Sequence, residues 1–388
     1  MLRAAAAGVA VGLAFACAPI LGIEDVSYGE LEAGSVGDGS GGDGTTGDGG
    51  FDAKIDCGTM TACSSGCADL TRDPNNCGKC EYACGGSCTT SKCDEVILAK
   101  GIVLPHGIAI DDQFAYVTSY GANGFLVADA GAILRIPLDG GAVEPIVSEQ
   151  DQPAFIIIRD GRLVWTTHAS VTSSLLDGGD RSSLPITSPG GVVFGIDKGD
   201  GAGVYTVGYG SSLCPLTRWS PGAGVASLEL MVPCGRIVVR DQNLLYSTNA
   251  NPAGGGVSVR AIDTPDAARP AIGSTTEPLW GMTQDDQYLY ATGTSSIRRI
   301  EKDGGQETIL AGDAGLTGPR VITADGTTLY VGDFGSNRIM RFSVDGGAAE
   351  QVGSGGAPVG VAVSGNFLYW VNNGSGSADG NVRRVRVK

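Results

Sequence analysis

The stretch LYVGDFGSNRIMRFSVDGG, residues 329–347, decides the fold. Two short apolar runs, each with an aromatic residue, flank a Gly-Ser-Asn break, and Asp345-Gly346-Gly347 closes the stretch as a hairpin signal. Its first run ends a pattern that recurs along the chain: an apolar strand, a turn of Asp, Gly or Asn, then a strand carrying an aromatic. The copies are PHGIAIDDQFAYVTS, PAFIIIRDGRLVWTT, GVVFGIDKGDGAGVYTV, CGRIVVRDQNLLYST, LWGMTQDDQYLYAT, PRVITADGTTLYVGD and PVGVAVSGNFLYWVN. Aligned on one column they place Tyr116, Val164 (beside Trp165), Tyr205, Tyr246, Tyr290, Tyr330 and Tyr369 at intervals of 48, 41, 41, 44, 40 and 39 residues. That period is the length of a four-stranded propeller blade.

The second half of each repeat carries two more strands, as in SSIRRIEKDGG with QETILAG and NRIMRFSVDGG with AAEQVGS. The outer half of the second repeat, SLLDGGDRSSLPITS, is the most degenerate. The seventh copy ends at Lys388 after its third strand, and Glu95-Val96-Ile97-Leu98-Ala99 precedes the first repeat. That segment is expected to supply the missing strand and close the ring, which removes open sheet edges. The fold class is therefore all-β: a seven-bladed β-propeller over residues 94–388, with a six-bladed ring as the alternative. The repeats resemble the NHL and YWTD propeller families, on LYVGDFGSNRIMRFSVDGG, LYWV and LVWTT.

Upstream of the ring lie eight cysteines in residues 57–93: Cys57, Cys63, Cys67, Cys77, Cys80, Cys84, Cys88 and Cys93. Met60, Leu70 and Tyr82 are the only other large apolar residues there, so the segment needs cross-links or metal to hold a fold. Cys77-x-x-Cys80 has the spacing of a zinc finger, but no His lies nearby. A thioredoxin-type centre would need a strand before the motif and a helix after it. Pro74 and two Asn precede Cys77 instead, and Gly85-Gly86 follow Cys84. A disulfide framework is favoured, and its connectivity is open among 105 possibilities. No metal and no cofactor is expected. The stretch CADLTRDPNNCGKCEYACGGSCTTSKC resembles the cysteine-rich module of Stig1-like proteins, also common in exported proteins of myxobacteria. The resemblance implies an extracellular interaction or structural unit, expected to sit against the final blade. Cys214 and Cys234 bracket the outer half of the third repeat and form a further candidate disulfide.

The N-terminus sets the compartment. MLRAAAAGVAVGLAFA, residues 1–16, has a charged start and a short apolar core, as an export signal does. Leu13-Ala14-Phe15-Ala16-Cys17 resembles a bacterial lipobox, which implies lipidation at Cys17. The following Ala18 implies the outer membrane or cell surface of a Gram-negative bacterium; a secreted protein is the alternative. Residues 17–56 read as a flexible tether. Nine of the 17 residues in 34–50 are Gly, and nine acids with one Lys give residues 18–56 a net charge of −8. Within it, Gly37-x-Gly39-x-x-Gly42 lacks the strand and helix of a dinucleotide site, and Asp38, Asp43 and Asp48 do not match calcium-loop spacing.

Charge narrows the function. A net charge of −16 lacks the basic footprint that nucleic-acid binding requires. In a propeller, the loop entering each inner strand and the loop after the second strand open on one face. That face collects His106, Phe155, Phe194, Arg236, Trp280 and Arg320 around the central mouth, with His168, Asn249, Asn251, Asp333 and Asn372 further out. Two Arg, a Trp and several amides suit a polar or anionic ligand such as a glycan or a peptide carboxylate. The chain has only two His, with no evident Ser or Cys nucleophile paired to them. The expectation is thus a monomeric envelope lipoprotein that binds a protein or glycan ligand without catalysis. The alternative is a lactonase-like propeller hydrolase or lyase acting on an extracellular polymer or lactone.

Overall fold

The structure is a computed structural model. It describes residues 56–388 except 122–128, 186–191, 198–203, 210–212, 221–224, 234, 243, 249–254, 262–269, 276, 305, 312–314 and 376–377. The segments read as an export signal and a tether, with Cys17, lie before residue 56 and outside the described residues, as do Cys234, Asn249 and Asn251. The described residues all belong to one unit, Ile55–Lys388. Among them, no helix is long and apolar enough to cross a membrane.

Seven four-stranded antiparallel sheets are found among the described residues, one for each sequence repeat. We number them as blades 1 to 7 in chain order. Their inner strands are Pro105–Ile110, Ile156–Arg159, Val192–Asp197, Val238–Asp241, Met282–Gln284, Pro319–Asp325 and Pro358–Ser364. Each inner strand touches that of the next blade, and the seventh touches the first, so the sheets form a closed ring around a channel. Blade 7 takes its outermost strand from Val96–Ile102, which pairs antiparallel with Gly380–Arg386 and sets Ala99 opposite Val382. The N-terminal strand thus closes the ring, and the ion pair Arg383–Glu95 at 2.7 Å reinforces the closure.

The aromatic column forms the core between blades. Tyr116, Tyr205, Tyr246, Tyr290, Tyr330 and Tyr369 are all buried, and Val164 with Trp165 takes their place in blade 2. Two of these phenols bond the carboxylate of their own hairpin turn. Tyr116 donates to Asp111 at 2.8 Å and Tyr290 to Asp285 at 2.5 Å. The same two Asp also accept turn amides, from Gln113 and Phe114 and from Gln287 and Tyr288. One carboxylate therefore folds the hairpin and satisfies a phenol whose apolar ring is buried.

Blade 2 explains its degenerate outer half. Its third and fourth strands, Ser170–Leu175 and Ser182–Pro185, are joined across the ladder by hydroxyls: Thr172 to Ser183 at 3.0 Å and Ser173 to Ser182 at 3.2 Å. Two of the four cross-strand pairs are hydroxyl to hydroxyl, beside Val171 opposite Leu184, so the hydropathy pattern is weak where the pairing is intact.

The cysteine-rich segment is stapled by Cys57–Cys67, Cys63–Cys80, Cys77–Cys88 and Cys84–Cys93. The two members of Cys77-x-x-Cys80 therefore bond different partners, and neither sulfur is a thiolate. The segment packs on blades 6 and 7. Arg386 donates to the Ala83 carbonyl at 2.6 Å and lies over the Tyr82 ring, Lys92 pairs with Glu350 at 3.3 Å, and Cys93 packs against the core around Trp370. Cys214 is itself disulfide-bonded.

Candidate functional site: the channel mouth

The site is built where the inner strands begin. Second-strand threonines fix the backbone there. The amide of Gly107 donates to Thr118 Oγ1 at 2.7 Å, Phe155 to Thr166 at 3.2 Å, Arg236 to Thr248 at 3.1 Å, and Gly281 to Thr292 at 2.9 Å. All four threonines stand two residues after the aromatic column, in YVT, VWT, YST and YAT. Threonine at that place is the sequence signal of these held amides. The glycines beside His106 and Trp280 serve close approach between blades. A Cβ on Gly107 would lie 2.4 Å from the Ala154 carbonyl oxygen, and one on Gly281 would lie 2.6 Å from that of Arg320.

Blade 6 has Gly332 where blades 1, 2, 4 and 5 have threonine, and its loop is held differently. Asp333, fully buried, accepts the Thr317 amide at 3.0 Å and pairs with Arg338 at 3.2 Å. Arg338 also donates to the Gly315 carbonyl at 2.7 Å. The segment leading into Arg320 is thereby pinned to the second and third strands. Glu277 does the same for the segment before Trp280, accepting from Thr294, Ser296 and Arg298 at 2.6 to 2.9 Å. These donors hold its carboxyl below the usual range although burial pushes the other way.

The pinned residues enclose a channel of about 530 Å³. His106, Phe155, Arg236, Trp280 and Arg320 line it, as the sequence reading expected. His106 packs between Tyr120 and Phe155, with ring centres at 5.1 and 5.2 Å. Arg236 lies 3.7 Å from the centre of the Trp280 ring. Arg320 lies 5.0 Å from the same ring and 3.6 Å from that of Phe334. The imidazole of His106 is pushed down to about 4, first by burial and then by the charges of Arg320 and Arg236. Its ring is neutral near pH 7 and serves as a polar wall, not as a cation. Burial also lowers the basicity of Arg320. Among the described residues lining the channel there is no Asp or Glu.

The described residues expected further out on this face, His168, Asp333 and Asn372, do not line the channel. Asp333 is a buried structural anchor for the Arg320 loop. Asn372 is fully buried and donates to Asn381 at 2.8 Å. His168 is absent from the channel lining, and its amide donates to the Asp151 carbonyl at 3.0 Å. Phe194 belongs to a described strand, but its side chain lies outside the described residues.

Solved structures share this architecture. Virginiamycin B lyase from Staphylococcus aureus is similar with a TM-score of 0.60 at 18% identity, over 76% of this chain and 99% of that chain. A catalytically inactive form of that enzyme, solved with Quinupristin, has a TM-score of 0.59 at 17% identity over the same shares. The Pan2 WD40 domain of Neurospora crassa has a TM-score of 0.56 at 10% identity, over 76% of this chain and 96% of that one. At these identities the likeness is one of fold: a β-propeller. No family model matches the chain, and no curated protein matches it.

Proposed function

We propose that this protein is an exported envelope lipoprotein whose propeller binds an anionic ligand at the channel mouth. The observation that carries the reading is the pair Arg236 and Arg320 on either side of Trp280 in chain order. Both bear on its indole, in a channel whose described lining has no carboxylate. A guanidinium stacked on aromatic rings, as Arg320 is on Phe334 and Trp280, is held in place and loses little freedom on binding. Such a site suits a carboxylate or other acidic group on a glycan or peptide. The four disulfides are compatible with an oxidising compartment outside the cytoplasm. The Stig1-like and NHL/YWTD-like resemblances support an extracellular interaction role, and lipidation of Cys17 would anchor it.

A lactonase-like hydrolase or lyase is the competing reading. It needs a general acid or base, or acidic ligands for a cation. In the described lining the one group of that kind is His106, whose imidazole, at about 4, is a weak base, and the charged groups are two guanidiniums. Binding of the full chain to an array of acidic and neutral glycans tests the proposal. Acidic members are retained, and Arg320→Ala abolishes their retention. Retention of neutral members alone, or turnover of any of them, overturns it. For the anchor, Cys17→Ser releases the protein from membranes, and unchanged membrane fractionation refutes lipidation.

A further inference from the structure

We propose that the acid taken at the mouth is carried on an unbranched aliphatic chain, with its carboxylate at Arg320 and its chain inside the channel. This rests on the reading of the mouth as an anion site and names what the anionic group is attached to. The described lining is sorted by depth. Its charged side chains, Arg236 and Arg320, and the imidazole of His106 stand where the inner strands begin. Further along the same strands the lining is almost wholly aliphatic: Ile110, Ile157, Ile237, Val321 and Val361 are each partly exposed and border the channel. The polar exceptions are Thr283, Gln284 and Thr323, and Gln284 donates its amide to the Arg240 carbonyl at 2.6 Å.

Thr323 stands three residues beyond Arg320 on the inner strand of blade 6, which at about 3.3 Å per residue sets it about 10 Å past the mouth. Val321 and Ile322 fill that interval. Carbon–carbon bonds of about 1.5 Å in a zigzag let an acid of about eight carbons cover the same depth. A hydrocarbon chain there replaces water whose neighbours are Ile and Val side chains, which is favourable. A sugar ring would set its hydroxyls against the same side chains, which bond none of them. At the head of the channel, Arg320 forms no ion pair among the described residues, and its contacts are the faces of Phe334 and Trp280. Asp333, on the paired second strand, is committed to Arg338 and the Thr317 amide. A ligand with one carboxylate and an apolar tail therefore matches the lining at both depths.

The test is calorimetric titration of the full chain carrying Cys17→Ser with butanoate, hexanoate and octanoate, and with octanamide, which keeps the chain and removes the charge. Affinity should rise about threefold or more for each added methylene. Octanamide should bind about tenfold more weakly than octanoate. Ile157→Phe narrows the channel beyond the mouth and should remove the chain-length gain while leaving butanoate unchanged. Val361→Thr keeps the shape and should reduce the gain. Circular dichroism should show the β-signal unchanged in both variants. Equal affinities along the series, or no binding by any member, overturn the proposal, as does a chain-length gain that survives both variants. If the series is flat while acidic glycans are still retained through Arg320, only this inference fails. If octanoate binds no better than octanamide and no acidic glycan is retained, the anion-site reading fails with it.

Discussion

The guanidinium of Arg236 lies 3.7 Å from the centre of the Trp280 ring, although the two residues belong to different blades and stand 44 positions apart. Each is delivered by the same device: an inner-strand amide held by a second-strand threonine. The mouth is a set of equivalent repeat positions with different side chains, on a backbone that the blades hold rigid.

Trp280 should therefore matter to binding more than to folding. Trp280→Ala removes the surface on which both guanidiniums lie and should weaken ligand binding by about 1–2 kcal/mol. Trp280→Phe should retain most of the affinity. Calorimetry against a retained acidic glycan checks both, with thermal melting as the control for the fold.

Thr292→Val preserves shape and deletes the acceptor for the buried Gly281 amide. A loss of about 1–3 kcal/mol in stability is expected. Hydrogen exchange at Gly281 should accelerate, while exchange in blade 2 stays unchanged. Equal exchange at Gly281 in variant and wild type would contradict the positioning role.

Asp333→Asn leaves Arg338 without its buried charge partner and weakens the acceptor for Thr317. Unfolding midpoints in urea should fall by the equivalent of about 2 kcal/mol or more. Ligand affinity should fall with them, because Arg320 loses the fixed segment that carries it. Affinity unchanged in the folded variant would place Asp333 outside the positioning of the mouth.

His106 supplies a pH test with a definite sign. Its folded value of about 4 lies below the unfolded value of 6.5. The unfolded chain takes up that proton first, so the contribution of the neutral ring is fully present above pH 6.5. It falls as pH drops through the window from 6.5 towards 4. His106→Gln should flatten this part of the stability profile measured by urea melts. A nuclear magnetic resonance titration should show the imidazole still neutral at pH 5.5.

The staples predict a separable effect. Cys84→Ser with Cys93→Ser should loosen the segment on blades 6 and 7 by about 2–3 kcal/mol. Peptide mapping without reduction should recover the other three pairs, Cys57–Cys67, Cys63–Cys80 and Cys77–Cys88.

The repeats were legible because blade packing imposes a period: every second strand must bury an aromatic against the next blade, and every hairpin needs Asp, Gly or Asn at its turn. The closing strand was legible from the same arithmetic, as one strand too few at the C-terminus and one spare before the first repeat. The residues of the mouth were legible as positions, since topology alone places His106, Phe155, Arg236, Trp280 and Arg320 at strand starts. The burial of Asp333 and Asn372 was not legible, for one physical reason. A polar residue at the end of a second strand looks the same in sequence whether it faces solvent or folds back to hold the adjacent loop. The hydroxyl ladder of blade 2 escaped the pattern because it has no hydropathy signature.

The sequence by itself determined the β-propeller, the N-terminal closure and the cysteine density that demands cross-links, because strand period and core burial are local and repeat with the chain. Only the tertiary structure decided which sulfurs pair and that Asp333 pairs with Arg338. Only it brought Arg236 and Arg320 to a single indole. Those outcomes depend on distances between residues that the chain separates and the closed ring brings together.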